Sequence, residues 1–145
     1  MTKQNVSQQQ SQKQEEKYFD LHITGIGYLS RVRDVTPKRS QPFVAVDISA
    51  IHGSSEDIQH TRFDCRVSGE KAKLIIDQLK PFIEDENCKV LVGFKLGDLY
   101  ADTFVYKSGT KEGETGVSLK ARLLRIDWVK VNGKPLAIEP DSAVA

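Results

Sequence analysis

Hydrophobic and polar residues alternate along two segments in the first half of the chain. Val46 and Ile48 alternate with small or polar residues in 43–50, and Phe63 alternates with charged residues in 59–67. Successive side chains of a strand point to opposite faces, so this period of two predicts strands with one buried face. These segments are the second and third of five predicted strands.

The segment 70–82 follows a different period. Its apolar residues recur every three or four positions, which predicts an amphipathic helix: Ala72, Ile75, Ile76, Leu79 and Phe82. Ser68 is the predicted N-cap, and Pro81 is expected to limit extension at the other end.

The remaining strands are longer and contain glycines. The first runs from Tyr18 to Val35, where Gly25 and Gly27 indicate a bend or bulge. The others, with a short closing strand, span 89–99, 116–131 and 134–138. Two connections are predicted to be loops, Ile51–Ile58 and the long, Gly-, Lys- and Thr-rich Tyr100–Thr115.

One helix between the third and fourth strands of an otherwise all-β chain is the connectivity of the OB-fold. The predicted fold is therefore a five-stranded Greek-key barrel of this class, which binds oligonucleotides or oligosaccharides across one face. It occupies residues 18–139. The Gln-rich leader 1–17 has too few apolar residues to repay the entropy of ordering, and 140–145 is predicted to be a flexible tail.

Composition limits the remaining choices. The formal net charge is +1, so the chain is not globally basic, although a nucleic-acid site needs only a local groove of Lys and Arg. No apolar stretch predicts a membrane span or a secretory signal, which favours a cytoplasmic location. Cys65 and Cys88 fit no disulfide or zinc pattern, and Cys65 is expected to be a small core residue.

Part of the chain resembles bacterial single-stranded-DNA-binding proteins. The similarity covers the strand-to-helix junction Arg66–Ala72, the helix exit Lys89–Gly93 and the opening Ile26–Leu29. It implies an OB-fold that binds single strands. At the positions of two stacking aromatics of those proteins, this chain has Arg62 and Ser68, and at the third it has Tyr100. The resemblance therefore implies the fold more strongly than it implies the stacking residues.

Over Tyr18–Gly133 the chain resembles a family of small replication-associated proteins of bacterial integrative and conjugative elements, which carry a domain of unknown function. The matching motifs are Tyr18–His22, Thr24–Leu29, Thr61–Asp64, Gly93–Leu99 and Gly116–Lys120. This resemblance implies a role in maintaining mobile-element DNA.

Binding of a single strand needs rings on which bases stack and cations that follow the phosphates. The strongest local signal is the alternation of aromatic and cationic residues in the loop after the fourth strand. The complete set of candidate nucleic-acid-binding residues is Arg31, Arg33, Lys38, Arg39, Arg62, Arg66, Lys95, Tyr100, Phe104, Tyr106, Lys107, Lys111, Lys120 and Arg122.

Structural roles compete with binding for several aromatic residues. Phe104 and Tyr106 are also suited to capping the barrel end. Trp128 is typical of core closure or a subunit contact, with base stacking as the alternative. The four phenylalanines Phe19, Phe43, Phe63 and Phe94 are mainly core candidates, of which Phe43 is the most suited to exposure.

No motif predicts an enzyme, a cofactor or a metal site. Gly25–Ser30 lacks the third glycine of a dinucleotide fingerprint and precedes no helix. The three histidines are scattered. Asp98 and Asp102, with Asp47 or Asp64, would suit Mg²⁺, but such residues are usually surface carboxylates.

The sequence therefore predicts a non-enzymatic protein that binds single-stranded DNA with little base preference. The resemblances imply in addition a homo-oligomer that acts in replication or maintenance of an integrative conjugative element, with replication or conjugation proteins as further partners. The alternative is an OB-fold interaction module that docks on such a protein without binding DNA.

Overall fold

The computed structural model describes residues 19–138. The predicted leader 1–17 and tail 140–145 lie outside the described residues. Six strands and one helix follow in chain order: β1 (His22–Val35), β2 (Phe43–Ser54), β3 (Asp57–Val67), α1 (Glu70–Glu84), β4 (Val90–Val105), β5 (Thr115–Val131) and β6 (Lys134–Leu136).

The strands close into a barrel. The sheet order is β3-β2-β1-β4-β5-β6, and β3 also pairs with β5, which returns the sheet to its own start. The closing pair is parallel and runs from Phe63 opposite Leu119 to Val67 opposite Leu123. All other pairings are antiparallel, and α1 lies between β3 and β4 in the chain. This topology confirms the OB-fold.

The barrel interior is filled by the residues that the alternation selects. Val46, Ile48, Cys65 and Val67 are almost completely buried, as are Phe94, Leu96 and Leu123 of the later strands. α1 contributes its apolar stripe through Ala72, Ile75, Ile76 and Leu79. Phe82 is exposed, and Phe19 is 98% exposed, so the prediction that Phe19 belongs to the core is wrong.

Both predicted loops are largely strand. The segment 51–58 is a tight hairpin in which Ser54 pairs with Asp57. β4 continues through Val105 and β5 begins at Thr115, so the region 100–115 is the end of a long hairpin. Gly and Lys are poor strand residues, and their abundance favoured a loop in the sequence.

The helix begins at Glu70, as predicted, but its N-cap lies one residue after the predicted Ser68. Gly69 is the N-cap and makes no side-chain hydrogen bond. The Ser68 hydroxyl accepts a hydrogen bond from Arg122 Nε instead, at 2.9 Å. Pro81 does not end the helix, which extends to Glu84.

Thiol reactivity offers a test of this core. Burial raises the pKa of the Cys65 thiol to about 12, because desolvation disfavours the thiolate. The thiolate is the reactive form, so we expect Cys65 to react with a thiol reagent at pH 8 only after unfolding, while the half-buried Cys88 reacts in the native protein. Mass spectrometry of the labelled peptides distinguishes the two sites, and fast native labelling of Cys65 would contradict the packing.

No helix in the described part of the chain is long and apolar enough to cross a membrane.

Candidate nucleic-acid interface

A groove of about 920 Å³ lies on the outer surface of the barrel. It is formed by the end of β1, the start of β2, the end of β3 and the middle of β4 and β5. We call it the groove. The lining residues that bear charges or rings are Arg31, Arg33, Phe43, Asp64, Arg66, Lys73, Asp98, Tyr100, Lys120 and Arg122.

Two irregular strand positions lie at its edges. Arg31 and Asp98 have φ of 52° and 58°, in the left-handed region, which is uncommon for residues other than glycine. Each coincides with an interruption of strand register, between Ser30 and Arg33 in β1 and between Gly97 and Tyr100 in β4. A bulge redirects side chains, and here both irregularities contribute a charged side chain to the groove.

A buried carboxylate holds the two arginines of β1. Asp47 is 2% exposed. Its Oδ1 accepts a hydrogen bond from Arg33 Nη1 at 3.1 Å, and its Oδ2 lies 3.2 Å from Arg31 Nε. Arg33 Nη2 donates to Asp64 Oδ1 at 2.7 Å. These four side chains form an electrically neutral group, so both arginines are held in position with their charge already compensated.

The two groove cations of β5 are also paired with acids. Lys120 Nζ lies 3.6 Å from an Asp102 oxygen and 3.9 Å from an Asp64 oxygen. Arg122 Nη1 donates to Asp98 Oδ2 at 3.0 Å. Asp98 and Asp102 therefore lie beside candidate cations, and both carboxylates reduce the positive charge there.

Arg66 differs from the other arginines of the groove. Its guanidinium carbon lies 4.3 Å from the centroid of the half-buried Phe43 ring, and within residues 19–138 it has no acidic partner. An arginine stacked on a ring keeps its donors free for a phosphate. Arg66 is thus the groove arginine with uncompensated charge.

The outer part of the β4–β5 hairpin continues the groove. Residues directly opposite each other share a face, and the register pairs Tyr100 with Lys120 and Phe104 with Gly116. The Phe104 and Tyr106 rings meet edge to face with centroids 5.0 Å apart. The Lys111 ammonium lies 5.6 Å from the Tyr106 centroid. We call this side the aromatic face of the hairpin.

The aromatic face has the residue types that single-strand binding uses, rings with cations beside them. Tyr100 and Phe104 are four residues apart, about 14 Å along the strand, with Asp102 between them on the same face, and the Phe104 and Tyr106 rings pack against each other.

Comparison with known proteins gives one family. The family model of DUF3577, a protein of unknown function, matches residues 12–144. The chain belongs to the DUF3577 family. No curated protein matches it.

Solved structures similar to this DUF3577 protein include two small single-stranded DNA-binding proteins. The one from Mycoplasma pneumoniae has a TM-score of 0.41 and 10% identity, with 75% of this chain and 93% of that chain covered. The one from Streptomyces coelicolor has a TM-score of 0.41 and 14% identity, with coverages of 76% and 94%. A third, the mitochondrial single-stranded DNA binding protein Rim1 of S. cerevisiae, has a TM-score of 0.34 and 14% identity, with coverages of 80% and 99%.

The structure divides the candidate residues of this DUF3577 protein among four places. Six line the groove: Arg31, Arg33, Arg66, Tyr100, Lys120 and Arg122. Four belong to the hairpin end: Phe104, Tyr106, Lys107 and Lys111. Lys38 and Arg39 are exposed in the connection between β1 and β2, outside the groove lining. Arg62 and Lys95 lie on another part of the barrel surface.

Sequence reasoning considered the acids of the groove only as Mg²⁺ ligands or surface carboxylates and missed their pairing with the arginines. Asp47 alternates with buried residues in β2 and faces outward, yet it is buried by the arginines above it. Lys73 of α1 also lines the groove and was not a candidate, because it follows the helical period on a solvent-facing position. Within residues 19–138, no group of three or more His, Cys, Asp or Glu side chains is placed to hold a metal ion.

Proposed function

We propose that this protein binds single-stranded DNA, with little base preference, through the groove and the aromatic face of the hairpin. The observation that carries the proposal is the continuity of these two surfaces at Tyr100. Its ring is 58% exposed, it lines the groove, and it begins the row that continues to Phe104 and Tyr106.

In the proposed mechanism, aromatic rings bind the bases and cations bind the phosphates. Bases stack on Tyr100 and on the hairpin aromatics, where each stack contributes about 1–3 kcal/mol. Phosphates are bound by Arg66 and by the lysines of the hairpin end. Every base has a flat aromatic surface, so stacking gives affinity with little sequence preference.

The acid pairs of the groove predict a weak dependence on salt. A phosphate that reaches Arg33 or Arg122 has to replace a carboxylate already bound there. Such an exchange releases fewer counterions than neutralising a free cation does. We therefore expect the slope of log affinity against log salt concentration to reflect the number of uncompensated cations, such as Arg66, rather than the number of all cations in the groove.

The biological setting is part of the proposal. The resemblance of the sequence motifs to replication-associated proteins of integrative and conjugative elements supports a role in the replication or maintenance of such an element in the cytoplasm. Replication or conjugation proteins are proposed as further partners, and a homo-oligomer is proposed as the working form. The proposal includes no cofactor and no covalent chemistry.

The direct experiment is a fluorescence-anisotropy titration of labelled oligothymidylate at low and high salt. Dissociation constants in the micromolar range or below, rising with salt, would support DNA binding. The absence of binding at low salt would overturn it. Comparing oligothymidylate with oligomers of the other bases checks base preference in the same assay.

A second candidate function is supported by the pairing of the groove cations. An OB-fold that docks on a replication or conjugation protein needs no excess of cations, and Asp47, Asp64 and Asp98 compensate most of the positive charge here. For this interaction module, the same titration is expected to show no DNA binding at any salt concentration, with an intact fold.

The hairpin lysines give a specific prediction. Lys107→Ala with Lys111→Ala is expected to weaken oligonucleotide binding and to flatten its salt dependence, because both side chains are exposed at the hairpin end and the Lys111 ammonium lies beside the Tyr106 ring. Melting temperature is expected to stay nearly unchanged, since neither residue is in the core.

Lys80→Ala is a suitable control, because this lysine lies on α1 and pairs with Asp34 at 3.8 Å. Equal affinities for the double variant and the wild type would show that the hairpin end does not contact the strand.

A further inference from the structure

The outward-facing residues of five strands form a second surface beside the groove. Strand register places them in two neighbouring rows that cross the sheet from β3 to β5. The first row contains Arg62, Ser49, Tyr28, Leu91 and Lys130, and the second contains His60, Ile51, Ile26, Gly93 and Trp128. We call this surface the second face; with four strand spacings it is roughly 19 Å across.

Trp128 forms a flat platform in this surface. Its indole lies directly on Gly93, where any Cβ would collide with the ring nitrogen. The indole remains 37% exposed, and Ile26 beside it is 40% exposed. The Lys130 ammonium lies 5.8 Å from the centroid of the Trp128 ring. The cation lies over the partly exposed ring, so a nucleobase that stacks on the indole takes the place of the ammonium, which is then free to meet the phosphate.

The charges of the second face are uncompensated. A third row, in which Lys95 lies opposite Thr24, borders the other two and is included in the second face. Arg62, Lys95 and Lys130 have no acidic partner within residues 19–138. The carboxylate at this edge, Asp127, is paired with Arg125. In the groove, by contrast, most cations are already paired with a carboxylate.

We propose that the second face is an additional binding surface for single-stranded nucleic acid, with Trp128 and Tyr28 as its rings and Arg62, Lys95 and Lys130 as its cations. It adjoins the groove on β3, where Arg62 and Asp64 are successive outward positions. One domain then offers two surfaces, and a strand, or two segments of one strand, is bound on both.

A second copy of the chain suits this face less well than a polyanion does. Stacking two copies face to face would bring two sets of Arg62, Lys95 and Lys130 into one interface. Like charges brought together in an interface repel each other, whereas phosphates supply the opposite charge. Charge complementarity therefore favours nucleic acid.

The chain's single tryptophan allows a direct test. Because Trp128 belongs to the second face, its emission reports on that face and not on the groove. Addition of unlabelled oligothymidylate to the full chain at low salt is expected to quench the emission to saturation, and added salt is expected to shift the midpoint to higher oligonucleotide concentration.

Matched variants separate this surface from the groove. Lys95→Ala with Lys130→Ala is expected to raise the quenching midpoint by roughly tenfold, through the loss of two phosphate contacts. Arg66→Ala with Tyr100→Ala, which removes one cation and one ring from the groove, is expected to leave tryptophan quenching in place. Quenching in the groove variant would thus support the second face even if the groove itself bound nothing.

Three results would overturn the proposal. The first is unchanged Trp128 emission when anisotropy shows a saturated oligonucleotide. The second is quenching that the groove variant abolishes and the lysine variant leaves untouched, which would make the signal indirect. The third is a blue shift of emission with rising protein concentration in the absence of DNA, which would assign the face to a second copy.

Discussion

Replacing Asp47 by Ala is expected to lower the free energy of unfolding by about 3 kcal/mol. Removing one partner of a buried ion pair typically costs about 3–5 kcal/mol, because the other charge is left without compensation. Asp47 is 2% exposed and serves two arginines. The lower end of that range applies, since Arg31 is largely exposed to water and Arg33 retains Asp64.

Urea denaturation monitored by circular dichroism measures this loss. Asp64→Ala is the matched control, because its side chain is 31% exposed and its removal leaves Arg33 bound to Asp47; we expect a loss of about 1 kcal/mol there. Asp47→Leu with Arg33→Met should recover part of the stability by removing both charges. A loss below about 0.5 kcal/mol for Asp47→Ala would contradict the arrangement.

The same carboxylate shows why the groove differs from a simple cationic channel. Asp47 fixes Arg31 and Arg33, so the chain does not lose side-chain entropy when a ligand meets them. As a consequence, the positive charge of both arginines is already compensated. The groove is therefore rigid and almost neutral, and affinity has to come from rings and from the few uncompensated cations.

Local periodicity was sufficient to predict the barrel. The period-two pattern around Ile48 and Cys65 and the helical stripe around Ile76 each record which side chains face the core, and all three residues are buried. One helix between two strands then selected the OB-fold. The prediction of a loop at the hairpin end was wrong because the strands there show no apolar alternation. They are recognised only by their cross-strand pairs, such as Phe104 with Gly116.

The charges of the site were harder to predict, because they depend on contacts between distant residues. Arg33 and Asp64 are 31 positions apart, and Arg122 and Asp98 are 24 apart. No local pattern shows that these residues meet. Arg62 and Arg66 have the same outward orientation on β3, and both were candidate binding residues. Strand length and barrel curvature place Arg66 in the groove and Arg62 outside its lining.

Replacing Tyr100 by Ala is expected to weaken oligothymidylate binding by about 5- to 150-fold. This range corresponds to the loss of one base stack, about 1–3 kcal/mol. Tyr100 is the ring at which the groove meets the aromatic face of the hairpin, so its loss interrupts the proposed path of the strand. Anisotropy titrations of the variant and the wild type at one low salt concentration measure the change.

Two controls determine whether the ring itself is responsible. Tyr100→Phe retains the aromatic surface and is expected to bind within about twofold of the wild type, since stacking needs no hydroxyl. Val117→Ala removes a side chain of similar exposure, 63%, from the other face of the hairpin and is expected to leave affinity unchanged. Equal binding by Tyr100→Ala and wild type would mean that a bound strand does not pass from the groove to the hairpin, and the continuity on which the proposed function rests would have no role.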